Sequence, residues 1–303
     1  MLAAQVQGIL SVILATACWS LSGIFINLIV QNSDVSPVGL AFYRDVSTSV
    51  SLLVGILLFR RDLFRVKGAD IPWLFAMGAI SIGLFHVLWN SSVIVNGAAI
   101  ATVFQSNAPI FVSVAAWFIW GEPLTSRKFI AIGLSIIGTL FIALPGNLGG
   151  IEITIRGLLI ALASAIAYGT FSLFGKMLTG NYSLWTIMLF IFGFASFTLL
   201  PFQFGLSTPS PDSPVVYTWF AGLILISTIS GFGLFTYGLS RLQASVASIT
   251  ATTEVPFAAI MAYFFLGERL NFLQILGALC VIGGIILISL PNRKSMLQKL
   301  KYR

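Results

Sequence analysis

The chain has 303 residues, of which 58% are apolar and only 8% are charged; its mean hydropathy is +1.00 and its net charge is +7. An ordinary soluble domain is about 25% charged, so this composition excludes a soluble protein and predicts an integral membrane protein. The basic residues stand in short clusters between apolar runs. They form no basic groove interleaved with aromatic residues, so nucleic acid is excluded as a partner.

Apolar runs long enough to cross a bilayer recur along the whole chain. Turn residues, prolines and charges divide it into ten candidate helical spans. Span one to span ten cover roughly residues 7–30, 37–59, 71–92, 98–119, 127–144, 156–177, 184–204, 216–239, 244–266 and 272–290. The predicted fold is therefore an all-α membrane protein of ten transmembrane helices, with the lipid bilayer as its surroundings.

The distribution of Lys and Arg predicts the orientation of these spans. If the N-terminus is cytoplasmic, thirteen Lys and Arg residues face the cytoplasm and only Arg156 and Arg269 face outward. Cytoplasmic loops of membrane proteins carry such an excess. We therefore expect both termini in the cytoplasm. The thirteen residues are Arg60, Arg61, Arg65, Lys67, Arg127, Lys128, Lys176, Arg241, Arg293, Lys294, Lys299, Lys301 and Arg303.

The second half of the chain repeats the first. The segment GEPLTSRKFIAIGLSIIGTLFIALP at 121–145 matches GERLNFLQILGALCVIGGIILISLP at 267–291 at a constant offset of 146 residues. We expect one five-helix repeat over 1–147, a second over 148–292 and a basic cytoplasmic tail over 293–303. Because five is odd, the second repeat enters the bilayer from the opposite side, so the repeats are inverted. Two inverted halves around a central cavity are typical of transporters, since they can expose one site alternately to each face.

These segments also carry a resemblance to a known family. A proline followed about eleven residues later by G-E-x-L occurs twice, and spans one and two contain ACWSLSGIF and LAFYRDVSTSVSL. Over nearly its whole length the chain resembles the EamA family of the drug/metabolite transporter superfamily, and within it the amino-acid exporters. The resemblance implies a secondary transporter in the bacterial plasma (inner) membrane that moves small metabolites or drugs outward. A duplicated chain already supplies both halves, so we expect a monomer.

Glycines in spans five and ten are candidates for close helix packing, because small residues let helices approach each other in lipid. They are Gly133, Gly138, Gly277, Gly283 and Gly284. The first half has Ala131 where the second has Gly277, so the packing of the two halves is expected to differ there.

Four ionisable residues lie clearly inside the predicted spans, away from the span ends, namely Arg44, Asp45, His86 and Glu254. Charged groups at membrane depth are costly, so each is a candidate for function. Glu254 lies about 15 Å from the inner end of span nine, near the bilayer midplane. Asn107 takes its place in the first half.

A proline follows each of these two residues. Pro109 and Pro256 are expected to break their helices and to leave the carbonyl groups of Gln105 and Thr252 without a hydrogen bond. Each half would then offer a polar, broken-helix position at similar depth. Such positions are tolerated only where they face protein or a water-filled cavity.

Each ionisable candidate has a functional and a structural interpretation. Glu254 either binds a cationic group or a proton, or is a neutral acid bonded to Thr250 or Thr253. Arg44 either binds a carboxylate, or reaches the headgroups or pairs with Asp45. Adjacent residues point about 100° apart around a helix, which argues against that pair.

Polar and aromatic residues complete the candidate site. His86, Trp89 and Asn90 share one face of span three and form either a cavity wall or ordinary packing. Trp19 and Tyr168 lie near the middle of spans one and six, the first spans of the two halves, as substrate contacts or as core. The expected substrate-binding residues are Glu254, Arg44, Trp19, His86, Trp89, Asn90, Tyr168 and Asn107.

The leading hypothesis is an exporter of small amphiphilic metabolites, above all apolar or aromatic amino acids, that works by alternating access. An exporter of organic cations is the alternative, since a carboxylate among aromatic faces also suits a cation. A membrane-embedded enzyme is disfavoured, because the sequence has one histidine, no H-E-x-x-H motif and no acid pair at a defined spacing. We expect no metal and no cofactor, and no ATP binding because a Walker A motif is missing.

Overall fold

The structure is a computed structural model that describes residues 2–96, 101, 104–143, 154–204, 213–266 and 272–289. Helices are the only secondary structure elements within these ranges. Eight helical stretches are long and apolar enough to cross a membrane, and they fall on predicted spans one, two, three and six to ten. Spans four and five correspond to shorter or more polar helices, so the count of ten stays a prediction.

The helices follow the predicted spans closely. In chain order the α-helices are Leu2–Ser20, Ser22–Gln31, Pro37–Phe59, Ile71–Gly78, Phe85–Asn96, Ala108–Trp120, Ser126–Ala143, Ile155–Leu178, Leu184–Leu199, Val215–Gly222, Gly231–Leu239, Ala244–Ala251, Glu254–Leu266 and Phe272–Ser289.

Hydroxyl side chains determine where three of these helices begin. Ser36, Thr154 and Ser183 each accept a hydrogen bond from the backbone amide three residues later, at 3.0, 3.1 and 3.2 Å. The first amides of a helix have no partner within the helix, so a hydroxyl at this position satisfies one of them. Spans two, six and seven therefore start directly after a polar residue.

Spans three and eight contain wide helical turns that the sequence analysis did not predict. The π-helical turns Ala79–Leu84 and Leu223–Ser230 interrupt their α-helices. In span eight the Thr228 hydroxyl donates to the Leu223 carbonyl, five residues earlier, at 2.8 Å. Such turns occur frequently at functional sites. They lie in the third span of each predicted half.

Spans four and nine are broken beside their prolines, as predicted. A turn at 106–107 precedes the helix Ala108–Trp120, and a turn at 252–253 precedes the helix Glu254–Leu266. The expectation that the Thr252 carbonyl has no hydrogen bond is wrong, because it accepts one from the Val255 amide at 3.2 Å. The backbone tightens so that the carbonyl bonds the amide three residues later. This bond satisfies the carbonyl, because Pro256 has no N–H group to donate to it.

The packing of the spans is symmetric between the two halves of the chain. Span one packs on spans eight and nine, two on seven and eight, three on six and seven, four on six and nine, and five on ten. Exchanging span one with six, two with seven, three with eight, four with nine and five with ten gives the same set of contacts. The contact of one with eight, for example, becomes the contact of six with three.

Spans five and ten approach each other through small residues. A Cβ atom on Gly138 would lie 2.5 Å from the Gly277 carbonyl oxygen, and one on Gly277 would lie 2.5 Å from that of Gly138. The equivalent contact is looser, since a Cβ on Gly284 would lie 2.9 Å from the Ala131 carbonyl oxygen. The packing role is thus confirmed for these glycines. It is wrong for Gly133 and Gly283, which have open space beside them.

The close contact of spans five and ten predicts that Gly138→Ala destabilises the protein. The added methyl group meets backbone rather than a movable side chain, and such overpacking costs about 1–3 kcal/mol. Thermal unfolding of the purified protein in detergent measures the loss. Gly133→Ala in the same helix is the matched control and should not lower the unfolding temperature. Equal effects of the two variants would contradict the proposed close contact.

Candidate functional site

A small cavity lies among spans one, three, six, eight and nine. Its volume is about 20 Å³, and one buried water needs roughly 10–15 Å³, so this conformation has room for about one water molecule. Its walls are mostly aromatic, with serine hydroxyls between the rings. The aromatic residues are Trp19, Phe85, Tyr168, Phe171, Phe232 and Phe235, and the serines are Ser81, Ser172 and Ser248.

Trp19 of span one brings an unused hydrogen-bond donor to this cavity. Its indole ring is 5.0 Å from the ring of Phe232 and 5.2 Å from that of Phe235. The Nε1 atom is buried and has no hydrogen-bond partner among the described residues. Buried indole N–H groups usually have a partner. A ligand acceptor in the cavity could therefore bind this donor.

Glu254 of span nine is tied to the cavity wall through Tyr168. The Tyr168 hydroxyl donates to the Glu254 carboxylate and accepts from the side-chain amide of Gln105 in span four. The Oε1 atom of Gln105 is buried and has no hydrogen-bond partner in the described part of the chain. Three spans thus contribute to one chain of polar groups, which runs from the cavity wall at Tyr168 to an unused acceptor on Gln105.

The hydroxyls considered as partners of Glu254 are engaged elsewhere. Thr250 and Thr253 each donate to a backbone carbonyl in the preceding turn, at 2.8 Å. Hydroxyls on helices commonly bond to the preceding turn, so the expectation of a local threonine partner is wrong and Tyr168 takes that place. Glu254 is also the first residue of its helix. The positive end of the helix dipole stabilises a negative charge at this position.

A second polar group lies beside the cavity and joins spans two and three. Arg44, Asp45 and His86 are all buried, and Asp45 has no exposed surface. Arg44 Nε lies 3.4 Å from Asp45 Oδ1, and His86 Nδ1 lies 3.5 Å from Asp45 Oδ2. The guanidinium group also contacts the imidazole ring. The argument against an Arg44–Asp45 pair is wrong, because the long arginine stem turns back and spans the angle between the two positions.

Phe85 of the cavity wall contacts this polar group. Its ring centroid is 5.3 Å from that of Tyr168, 5.6 Å from that of His86 and 6.2 Å from that of Trp89. His86 and Trp89 therefore contact a ring of the cavity wall, and Arg44 contacts His86 in turn. A single phenylalanine thus connects the aromatic cavity to the buried charges.

The two remaining candidates are the amides. Asn107 lies in the turn of span four, where its Nδ2 donates to the Phe104 carbonyl at 3.2 Å. It therefore stabilises the helix break. The side chain of Asn90 lies outside the described residues.

Sequence reasoning missed two members of the site. Gln105 could have been found, because it is a polar residue four places before a proline in an apolar span. Phe85 carried no signal, since the chain has 26 phenylalanines and only tertiary packing distinguishes them.

Most of the chain matches one known protein family, in two consecutive segments. Residues 6–144 and again residues 155–290 match the EamA-like transporter family. The chain belongs to this family. It is therefore a multi-pass membrane transporter, and the expectation that it is not an enzyme is confirmed.

Several curated relatives are similar over most of their length. The uncharacterized inner membrane transporter YicL of Salmonella typhimurium is 26% identical over 295 residues, which is 95% of this chain and 97% of that protein. A Streptantibioticus cattleyicolor protein named "Probable terminal-alkyne amino-acid exporter" is 24% identical over 96% of this chain and 95% of its own length. A solved crystal structure shares the fold with a TM-score of 0.79 at 13% identity and covers 93% of this chain and 96% of its own.

The bond between Tyr168 and Glu254 predicts that Tyr168→Phe destabilises the protein. The change removes only a hydroxyl, yet it leaves buried polar partners without a hydrogen bond, which costs about 1–3 kcal/mol. The unfolding temperature of the purified protein in detergent measures this loss of stability. Tyr217→Phe at the exposed end of span eight is the control and should have little effect. If the two variants unfold at the same temperature, the Tyr168 bond contributes no stability.

Proposed function

We propose that this transporter exports small amphiphilic metabolites, above all apolar or aromatic amino acids. One observation carries the proposal: the aromatic cavity is lined by Trp19, which has an unused buried donor, and by Tyr168, which bonds the Glu254 carboxylate and the Gln105 amide with its unused buried acceptor. A zwitterionic amino acid offers a carboxylate for the donor, an ammonium group for the acceptor and the acid, and an apolar side chain for the rings.

The proposed roles follow from the chemistry of each group. The ammonium group binds Glu254 and the Oε1 atom of Gln105, and the carboxylate accepts from Trp19 Nε1. Arg44 adds a cation for the carboxylate once it leaves Asp45, since its planar fork suits a carboxylate. The remaining candidates, His86, Trp89, Asn90, Tyr168 and Asn107, surround the side chain or hold the others in place.

Transport requires the cavity to change. A volume of about 20 Å³ admits no amino acid, so the site must open to load and release substrate. We propose that residues 1–147 and 148–292 are inverted five-helix repeats that move against each other for this purpose. The two separate family matches and the symmetric packing of the spans support this division. Wide turns in spans three and eight and breaks in spans four and nine add to that support.

The proposed setting is the bacterial inner membrane, as the name of the Salmonella relative suggests for that protein. The excess of basic residues on one side supports a cytoplasmic position for both termini and for the tail at 293–303. One chain supplies both halves, so a monomer is the proposed working unit.

An organic cation is the second candidate substrate. Glu254 lies beside aromatic rings, and a quaternary amine is attracted both by the carboxylate and by the ring faces. The two candidates differ in one respect: only the amino acid carries a carboxylate for Trp19 and Arg44.

Flux assays in proteoliposomes test this function. We expect saturable transport of phenylalanine and leucine above that of empty liposomes, and weaker transport of phenylalanine methyl ester, which lacks the carboxylate. Better transport of the ester and of tetraethylammonium than of phenylalanine would favour the organic cation. Flux of every compound at the level of empty liposomes would contradict both. The assay is run with and without an imposed pH gradient to detect proton coupling.

The proposed ammonium site predicts that Glu254→Gln weakens transport of amino acids. The substitution keeps the shape of the side chain but removes its charge, and a hydrogen bond to a charged group contributes about 1.5–3 kcal/mol. Apparent affinity for phenylalanine should therefore fall roughly 10- to 100-fold. Asp62→Asn, which removes an exposed carboxylate from a loop, is the control. Unchanged affinity and pH dependence in Glu254→Gln would make Glu254 a packing residue.

A further inference from the structure

Glu122, in the loop between spans four and five, is a buried carboxylate that the proposed site does not use. It is only 6% exposed. Its Oε1 accepts from the backbone amide of Ala244 at 2.9 Å, and its Oε2 accepts from the hydroxyl of Ser245. The Lys128 ammonium donates to Oε2 at 3.3 Å. Both carboxylate oxygens are therefore engaged.

These bonds cap a helix that belongs to the other half of the chain. Ala244 is the first residue of the helix Ala244–Ala251 in span nine, and Gln243 before it makes no side-chain capping bond. The first amides of a helix lack partners within it, and the helix dipole favours a negative charge there. Glu122 of the first half therefore takes the place of a local cap in the second half.

The same end of the molecule is closed by other contacts between spans. Lys176 of span six donates to the Leu239 carbonyl at the end of span eight, at 3.2 Å. Leu242, between spans eight and nine, is buried against span one, where a Cβ on Gly8 would lie 2.8 Å from its side chain. Four of the five spans that line the cavity thus meet at this end. Ser248 of the cavity wall lies only about 6 Å along the helix from Ala244.

The charge arrangement lets this contact break at low cost. Lys128 belongs to the same segment as Glu122, so the two move together and the carboxylate keeps its ion pair after separation from span nine. The amide and hydroxyl left behind belong to the first turn of span nine, at the predicted end of that span, where water can replace the lost bonds once the contact opens. A buried ion that lost every partner would carry a far larger penalty.

We propose that Glu122 is a positioning residue for transport. It holds the start of span nine and keeps the cavity closed toward the membrane face on which Glu122 lies. The cavity opens to that face when Ala244 and Ser245 leave the carboxylate. This role rests on the alternating access proposed above. Glu122 holds the two halves together in one state and releases them in the other. Lys128 neutralises the charge of the Glu122 carboxylate in both states.

Labelling of a cysteine in the cavity tests this role. Ser248→Cys is introduced after replacement of Cys18 and Cys280 by serine, and a membrane-impermeant maleimide is applied in vesicles from one face at a time. Glu122→Gln should raise the labelling rate from the face that bears Glu122 roughly tenfold, the value of a lost charged hydrogen bond. Labelling from the opposite face should fall. General loosening of the structure would instead raise both rates.

Two further variants make the test decisive. Asp62→Asn is the matched control, since Asp62 pairs with Arg60 at 3.1 Å within its own exposed loop, and its labelling should equal that of the parent. Ser245→Ala removes one bond while Glu122 stays paired, and it should raise the rate by roughly threefold. If Glu122→Gln does not fold, Ser245→Ala alone tests the proposal.

Labelling is measured without substrate, so it is independent of the substrate class. Unchanged labelling in Glu122→Gln and Ser245→Ala would overturn the role of Glu122 even if amino acids are transported. A shift in labelling in the expected direction would support it even if no compound in the flux assay is transported.

Discussion

Because the hydrocarbon core of a bilayer offers no hydrogen-bond partners, every backbone N–H and C=O group in a spanning segment must be satisfied within the protein. Most of this chain meets that constraint with regular helix. It departs from regular helix at the wide turns of spans three and eight and the breaks of spans four and nine, where Thr228 and the tightened turn at Thr252 satisfy the carbonyls involved. Three of these irregular spans, namely three, eight and nine, line the aromatic cavity, so most departures from regular helix lie near the proposed substrate site.

The same constraint governs the buried charges. Each one found within the described residues has a partner on another span or turn: Glu254 has Tyr168, Arg44 has Asp45 and His86, and Glu122 has Lys128 and the start of span nine. Glu122 joins the first half of the chain to the second directly, and Glu254 does so through Tyr168 and Gln105. Contacts that neutralise charge in lipid are thus also contacts that must change if the halves move, which links the cost of burying a charge to the proposed transport cycle.

Several parts of this structure were predictable because they depend on local chemistry. Apolar length indicated the spans, and Pro109 and Pro256 indicated the breaks. Other parts depended on distance in three dimensions. The pairing of Arg44 with Asp45 needed a side-chain conformation that backbone angles do not reveal, and the partner of Glu254 lies on span six rather than on its own helix. Phe85 became visible only through its contacts with Tyr168 and His86.

The sequence by itself determined that this is a helical membrane protein of the EamA type with a duplicated pattern, because hydrophobic length, prolines and repeats are properties of neighbouring residues. Only the tertiary structure decided which polar groups meet. It placed Trp19 and Tyr168 on one cavity, joined Gln105 and Glu254 through a tyrosine, and brought Glu122 to a helix that begins 122 residues later. Such contacts arise from the packing of spans distant in sequence, and no local pattern encodes them.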